Sequence, residues 1–241
     1  MNIALIGYGK MGQIIEEMAL RRNHSVVLKL TSKDNWNAQT LLLVKADVAI
    51  EFTHPHAAVE NIKKCFDANI PVVVGTTGWY HHLEEIKNLC LQNNQSLLYA
   101  SNFSIGMNLF LKINEYVAQL MSQYSDYLVN LLEVHHTQKK DAPSGTAINI
   151  AEQILKYYPN KKRWTLNRND KELYIHVCRA GDEKGFHSVY YQSDVDEIQI
   201  SHHAHSRKGF ALGAVLAAEF LKDKKGIFTM KEVLESSVLS K

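Results

Sequence analysis

Cysteine is scarce in this chain, and its arrangement argues against more than its number does. Three cysteines, Cys65, Cys90 and Cys178, occur in 241 residues. The count is odd and no Cys-x-x-Cys occurs, which argues against a disulfide framework or a zinc ribbon and fits reduced thiols in the cytosol. Charge of one sign is equally scarce. With 27 basic and 25 acidic residues the formal net charge is +2, too little for nucleic acid or membrane binding to be the main role. Two Lys-rich pieces, Lys161-Lys162-Arg163 and Lys222 to Lys225, are short and read as solvated surface. The longest apolar stretch, Gly209 to Leu221, is too short to span a bilayer and contains Glu219. The start, Met1 to Gly7, lacks a basic n-region and runs straight into a strand pattern, so no signal peptide is expected. What remains is an ordinary globular composition, 46% hydrophobic and 22% charged, expected in the cytoplasm.

The first hundred residues alternate short β-branched runs with helical patterns. Strands are predicted at Ile3–Ile6, Ser25–Leu30, Asp47–Phe52, Val72–Val74 and Ser96–Ala100. Helices are predicted at Met11–Arg22, Pro55–Ala68 and around His82–Gln92. This βαβ alternation predicts a parallel sheet with helices on both faces, which binds ligands at the carboxyl ends of its strands. After Asn102 the pattern changes. A helix over Ile105–Ser122 precedes a strand at Tyr127–His136 and a helix over Gly145–Tyr157. Three strands then follow, Glu172–Arg179, Phe186–Gln192 and Glu197–His203, without helices between them. That run predicts an α+β domain with a mixed or antiparallel sheet. Two last helices, Phe210–Leu221 and Met230–Leu239, could return to the first domain. The expected division is 1–104, 105–206 and 207–241.

Gly7-Tyr8-Gly9-Lys10-Met11-Gly12 is a Gly-x-Gly-x-x-Gly run placed after a strand and opening a helix. There its backbone N–H groups can approach a pyrophosphate. A carboxylate expected at the end of the second strand, to bind the NAD ribose, is not evident in Leu30-Thr31-Ser32-Lys33-Asp34, where Asp34 comes late. Thr31, Ser32 and Lys33 instead suit the 2′-phosphate of NADP, predicting at least equal use of NADPH and a modest preference for it. A plain surface turn is the alternative. Gly75-Thr76-Thr77 and Ala100-Ser101-Asn102-Phe103 follow two further strands on the same edge and suit the nicotinamide end.

The most specific segment runs from Glu133 to Thr146. A strand ends in His135-His136, a basic loop carries Lys139, and Ser144 is placed to cap a helix opened by Gly145 and Thr146. That helix start suits a carboxylate, His136 and Lys139 add positive charge, and an imidazole or ammonium beside it can pass a proton. His202, His203 and His205 invite a zinc reading. Without a Cys or acidic ligand at a sharp spacing, they read better as a strand end, and no metal is expected.

These segments together resemble the dihydrodipicolinate reductase family over nearly the whole chain. The resemblance rests on Gly7–Gly12, Glu51-Phe52-Thr53-His54-Pro55, Val74–Gly78, Ala100–Gly106 and above all Glu133–Ala147. Arg179–Asp182, Gly185–His187 and Ser206-Arg207 extend it. It implies a Rossmann-type parallel-sheet nucleotide domain plus an α+β substrate and oligomerisation domain with a mixed sheet, assembled as a homotetramer. It implies NADPH and/or NADH as cofactor, held by Gly7–Gly12, Thr31, Phe52, Gly75–Thr77 and Ala100–Phe103, and a small cyclic dicarboxylate as substrate. His135 and Lys139 would be catalytic, and His136, Ser144, Gly145 and Thr146 would hold substrate carboxylates. The implied reaction is reduction of 4-hydroxy-tetrahydrodipicolinate in lysine and diaminopimelate synthesis. The glycine loop is one residue shorter than in longer members, Thr31 stands where NAD-using members carry an acid, and Lys140 replaces an apolar residue. Another two-domain amino-acid dehydrogenase, or a nucleotide-binding regulator without turnover, are the rival readings.

Overall fold

The computed structural model describes residues 1–169 and 171–236. The chain divides into two compact units, Met1–Ile105 with the part from Arg207 onward, and Gly106–Ser206. The first unit contains β1 (Asn2–Ile6), α1 (Lys10–Arg21), β2 (Ser25–Leu30), α2 (Ala38–Leu43), β3 (Val48–Glu51), α3 (Pro55–Asp67) and β4 (Val72–Val74). A 3-10 turn (Tyr80–His82), α4 (Leu83–Gln92) and β5 (Ser96–Tyr99) follow. The second unit contains nearly all of α5 (Ile105–Met121), then β6 (Leu128–His135), α6 (Gly145–Leu155), β7 (Trp164–Thr165), β8 (Leu173–Arg179), β9 (Phe186–Gln192) and β10 (Glu197–His203). The chain then returns to the first unit with α7 (Lys208–Leu221), β11 (Gly226–Phe228) and α8 (Met230–Glu235). The far end of the helix expected over Met230–Leu239 lies outside the described residues.

The first sheet has the order β11-β5-β4-β3-β1-β2, with every neighbouring pair parallel. Every position of β3 and β4 is buried, the signature of strands covered on both faces. Side chains alternate between two cores. Ile3 and Leu5 pack with α1 and α7, while Ala4 and Ile6 pack with α3 and α4. The apolar run ending at Leu221 is α7, whose Ala211, Ala214, Val215, Ala217 and Ala218 are fully buried in the first of these cores. Among the described residues no helix is long and apolar enough to cross a membrane.

The second sheet is mixed, in the order β10-β9-β6-β8-β7. Central β6 runs parallel to β8 and antiparallel to β9. One face is covered by α5 and α6, which bury Val129, Leu131, Leu173, Ile175, Val189 and Tyr191. Continuing those inward rows toward the carboxyl end of β6, the next residues are Glu133 and His135 on β6, Val177 and then Arg179 on β8, and His187 on β9. Strand pairing therefore gathers them, with Glu133 opposite His187 and His135 beside Arg179.

Candidate active site

In the first unit, the strand order reverses direction between β1 and β3, the point at which an open parallel sheet leaves a crevice at its carboxyl edge. A cavity of about 640 Å³ occupies it, lined by the glycine loop from Gly7 to Met11, by Thr31, Ser32, Asp34 and Trp36 after β2, and by Phe52 to His54 after β3. Gly7 has φ +102°, and a Cβ there would lie 2.0 Å from the Phe52 carbonyl oxygen, so only glycine lets the loop turn this tightly. Gly12 is buried and packs against Gly7; it shapes the loop from beneath instead of lining the cavity.

Gly7 and Tyr8 donate their N–H groups to the Leu30 carbonyl at 2.9 and 2.8 Å, so they are not available to a phosphate. The helix start after them is. Gly9 takes the N-cap position of α1 with no side-chain cap, and the first N–H groups of a helix have no partner within it. Tyr8 donates its hydroxyl to Glu16, which also pairs with Lys29 at 2.5 Å. That pair fixes the loop's aromatic and engages the Lys29 ammonium, which lies over the Tyr8 ring.

The end of β2 corrects one expectation. Asp34 lies nearer the strand end than its place in the sequence suggests. The turn folds it back so that Asp34 Oδ2 accepts both the N–H and the hydroxyl of Thr31, each at 2.7 Å. Those donors hold its carboxyl below the usual range. A carboxylate thus stands on the cavity wall where the strand ends, whereas Lys33 does not line the cavity.

The remaining predicted cofactor residues lie on the same strand edge but outside this cavity. Gly75 donates to the Glu51 carbonyl at 2.9 Å. Thr76 is buried and its hydroxyl accepts from Thr53 N–H at 2.7 Å. Thr77 and Ser101 are exposed, and Ala100 is half-buried. Asn102 Oδ1 accepts from Ser104 N–H at 2.8 Å. The Phe103 side chain is buried in the core, its ring centre 5.7 Å from that of Phe52. Beneath these loops lies Glu51, fully buried, which accepts from the Thr53 hydroxyl and from Asn61. Burial raises its pKa against the lowering effect of those donors.

In the second unit, the end of β6 forms a polar network. Glu133 is fully buried. Its Oε1 accepts from both terminal nitrogens of Arg179 at 3.1 Å, and its Oε2 accepts from Ser144 N–H at 3.0 Å. Arg179 also donates to the Asp141 carbonyl at 2.6 Å. The loop between His136 and Ser144 is therefore tied to β6 through Ser144 and to β8 through Asp141. Lys139 Nζ sits 2.8 Å from both Asp141 oxygens, which draws the Asp141 pKa down. Ser144 caps α6, its hydroxyl accepting from Ala147 N–H at 3.1 Å. Gly145 and Thr146 occupy the first turn, with open space where a Gly145 side chain would stand. His136 is half-buried beside this loop.

His135 is nearly enclosed, with Nδ1 3.6 Å from Glu133 Oε2. Burial lowers its pKa most; Lys139 and Arg179 act the same way, and Glu133 and Asp141 oppose them. His187 stacks edge-on against it at 5.1 Å between ring centres, and burial pushes its pKa down to about 3. Glu133, Arg179 and His187 lie within the segments that carry the resemblance, but no role was expected of them there. One available signal was parity: Glu133 continues the inward row of Val129 and Leu131, where a charge is out of place unless it serves something.

Among the described residues, Glu133, His135 and His187 are the cluster whose ligand atoms converge within 4.8 Å. The Arg179 guanidinium already on Glu133 opposes a second cation there. His202, His203 and His205 do not form such a cluster. Strand alternation separates the first two, and His203 bonds Glu183 at 3.0 Å.

Profiles of the N-terminal and C-terminal parts of dihydrodipicolinate reductase match residues 1–103 and 106–234. A 4-hydroxy-tetrahydrodipicolinate reductase of Christiangramia forsetii is 49% identical over 235 residues, 97% of this chain and 98% of the relative. One from Methanocaldococcus jannaschii is 35% identical over 239 residues, covering 95% of this chain and 80% of the relative. Among solved structures, the dipicolinate-bound dihydrodipicolinate reductase from Paenisporosarcina sp. TG-14 matches with a TM-score of 0.77 at 26% identity, over 95% of this chain and 97% of that one. An amine dehydrogenase from Mycobacterium smegmatis shares the fold at 10% identity and a TM-score of 0.56, over 94% of each chain. The chain belongs to the dihydrodipicolinate reductase family.

Proposed function

We propose that the protein reduces 4-hydroxy-tetrahydrodipicolinate to tetrahydrodipicolinate with NADH or NADPH, releasing water, in lysine and diaminopimelate synthesis. The observation that carries this is the end of β6, where one buried carboxylate draws together His135, the Lys139 loop and the capped start of α6. The nicotinamide cofactor, when bound, supplies the hydride. The first unit fits such a cofactor: its helix start is uncapped, Gly7 and Gly12 leave no room for a side chain in the loop, and Asp34 would meet the ribose at the end of β2.

In the second unit, the Gly145 and Thr146 N–H groups, the Thr146 hydroxyl and His136 would hold the substrate carboxylates. Lys139 would give a proton to the reduced ring. Burial keeps His135 neutral in the free protein, and a dianionic substrate beside it works in the opposite direction, favouring proton uptake as the complex forms. Asp34 changes the cofactor reading from the modest NADPH preference that the strand-end residues suggest. A carboxylate accepts from a ribose hydroxyl and repels a 2′-phosphate, so NADH should serve at least as well as NADPH.

The exposed face of the second sheet, with Leu132, Tyr174, His176 and Tyr190 around a shallow hollow of about 360 Å³, supports assembly through that face into a homotetramer. The three free cysteines suit the cytoplasm. An assay that follows oxidation of the reduced nicotinamide, with enzymatically generated substrate, tests the whole reading. Absence of turnover with both cofactors would sink it.

A further inference from the structure

We propose that Glu133 is a positioning residue for His135: its carboxylate fixes the imidazole with the proton on Nδ1, so that Nε2 is the atom that exchanges a proton during the reaction. This rests on the acid–base reading of His135 given above. Burying a carboxylate is costly unless its oxygens are matched. At Glu133, Arg179 matches Oε1 and Ser144 N–H takes part of Oε2. The rest of Oε2 faces two imidazole nitrogens, His135 Nδ1 at 3.6 Å and His187 Nε2 at 3.9 Å.

His135 Nδ1 is buried and has no hydrogen-bond partner among the described residues. A lone pair on that nitrogen would confront the carboxylate, whereas an N–H there is a few tenths of an ångström from a hydrogen bond to it. Catalytic contacts of this kind are often long before substrate arrives. His187 does not compete as a cation, because its burial keeps it neutral and its Nε2 lies 3.3 Å from the Ser144 hydroxyl. On the other side of the ring, Gly185 keeps the approach to Nε2 clear: a Cβ at that position would stand 3.2 Å from it. The charged groups facing His135 are Glu133 from its own strand, Lys139 and Asp141 from the following loop, and Arg179 from β8. A base oriented by a third group is the general logic of an activated proton-transfer pair.

Nitrogen-15 NMR of labelled histidine in the whole wild-type protein reads the tautomer directly, with the His135 signals identified by their loss in His135→Asn. Neutral His135 is expected to carry its proton on Nδ1. In Glu133→Gln His135 should titrate about one pH unit lower, and in Glu133→Gln/Arg179→Gln by less, because loss of the guanidinium works the other way. The kcat–pH profile should move with it, and cofactor affinity should hold. A proton on Nε2 in the wild-type protein would overturn the proposal, as would an unchanged titration in Glu133→Gln. The underlying acid–base reading fails separately: His135→Asn would then turn over at a near-normal rate whatever the tautomer.

Discussion

Two carboxylates are fully buried at comparable places, Glu51 at the end of β3 in the first unit and Glu133 near the end of β6 in the second. Each lies beneath loops that carry proposed site residues, yet they are satisfied in opposite ways. Glu51 has hydroxyl and amide partners, and its Oε2 has no hydrogen bond among the described residues. Burial drives its pKa upward, toward the neutral acid. Glu133 has a guanidinium across two bonds and a backbone N–H. A loop that holds a dinucleotide needs shape, which a neutral knot of hydroxyls supplies. A site that moves protons near a dianion needs fixed charge, which an ion pair supplies.

The largest effect expected on this contrast is chemical. Lys139→Ala and His135→Ala should each lower kcat by about 10²–10⁴-fold and leave cofactor affinity near wild type. Steady-state kinetics with a separate cofactor titration would show it, and near-normal turnover in Lys139→Ala would take the ammonium out of the mechanism. Next comes stability. Arg179→Met strands the Glu133 charge, and breaking a buried pair costs about 3–5 kcal/mol, here nearer the lower figure because the arginine is partly exposed. Urea unfolding measures this; a loss no larger than that in Glu51→Gln would erase the distinction between the two carboxylates.

Asp34→Asn keeps an acceptor for Thr31 and removes the charge. It should raise kcat/KM for NADPH relative to NADH by about fivefold, the scale of an exposed charge contact, and less at high salt. An unchanged ratio would mean that Asp34 does not meet the ribose. The smallest effect belongs to Glu51. A carboxyl whose folded pKa is raised stabilises most below its unfolded pKa, and that stabilisation is lost as pH rises through the folded value. Stability should therefore decline above the ordinary carboxylate range, and Glu51→Gln should remove that slope. Melting curves across pH test this, and a variant that keeps the wild-type slope would assign it elsewhere.

Much of this was readable in residue order because it is local. The β1–glycine-loop–α1 unit, the Pro55 start of α3 and the Ser144 cap all depend on neighbours within a few positions. Some short elements were not readable. In α2 six residues are held by an Asn37–Thr40 capping box, and β7 and β11 are edge strands of two and three residues, too brief to show alternation. The return of Asp34 to the strand end was not readable, because a side chain's reach depends on the turn and not on its count along the chain. Glu133, Arg179 and His187 stand up to 54 positions apart in sequence. They meet only through the pairing of β6 with β8 and β9, and local pattern does not encode strand order.

The first unit is assembled from both ends of the chain. As the polypeptide leaves the ribosome, β1 to β5 emerge with β5 as an open edge, and the face later covered by α7 is bare. The contiguous second unit is then made in full before Arg207 appears. Only when Lys208–Leu221 and Gly226–Phe228 arrive does the edge gain its last strand and the face its helix. An unpaired edge and an uncovered apolar face are the surfaces on which nascent chains associate. The nucleotide half, begun before the second unit, is thus the last to be completed, and a chain that ends shortly after Ser206 leaves it exposed although the second unit has its whole sequence.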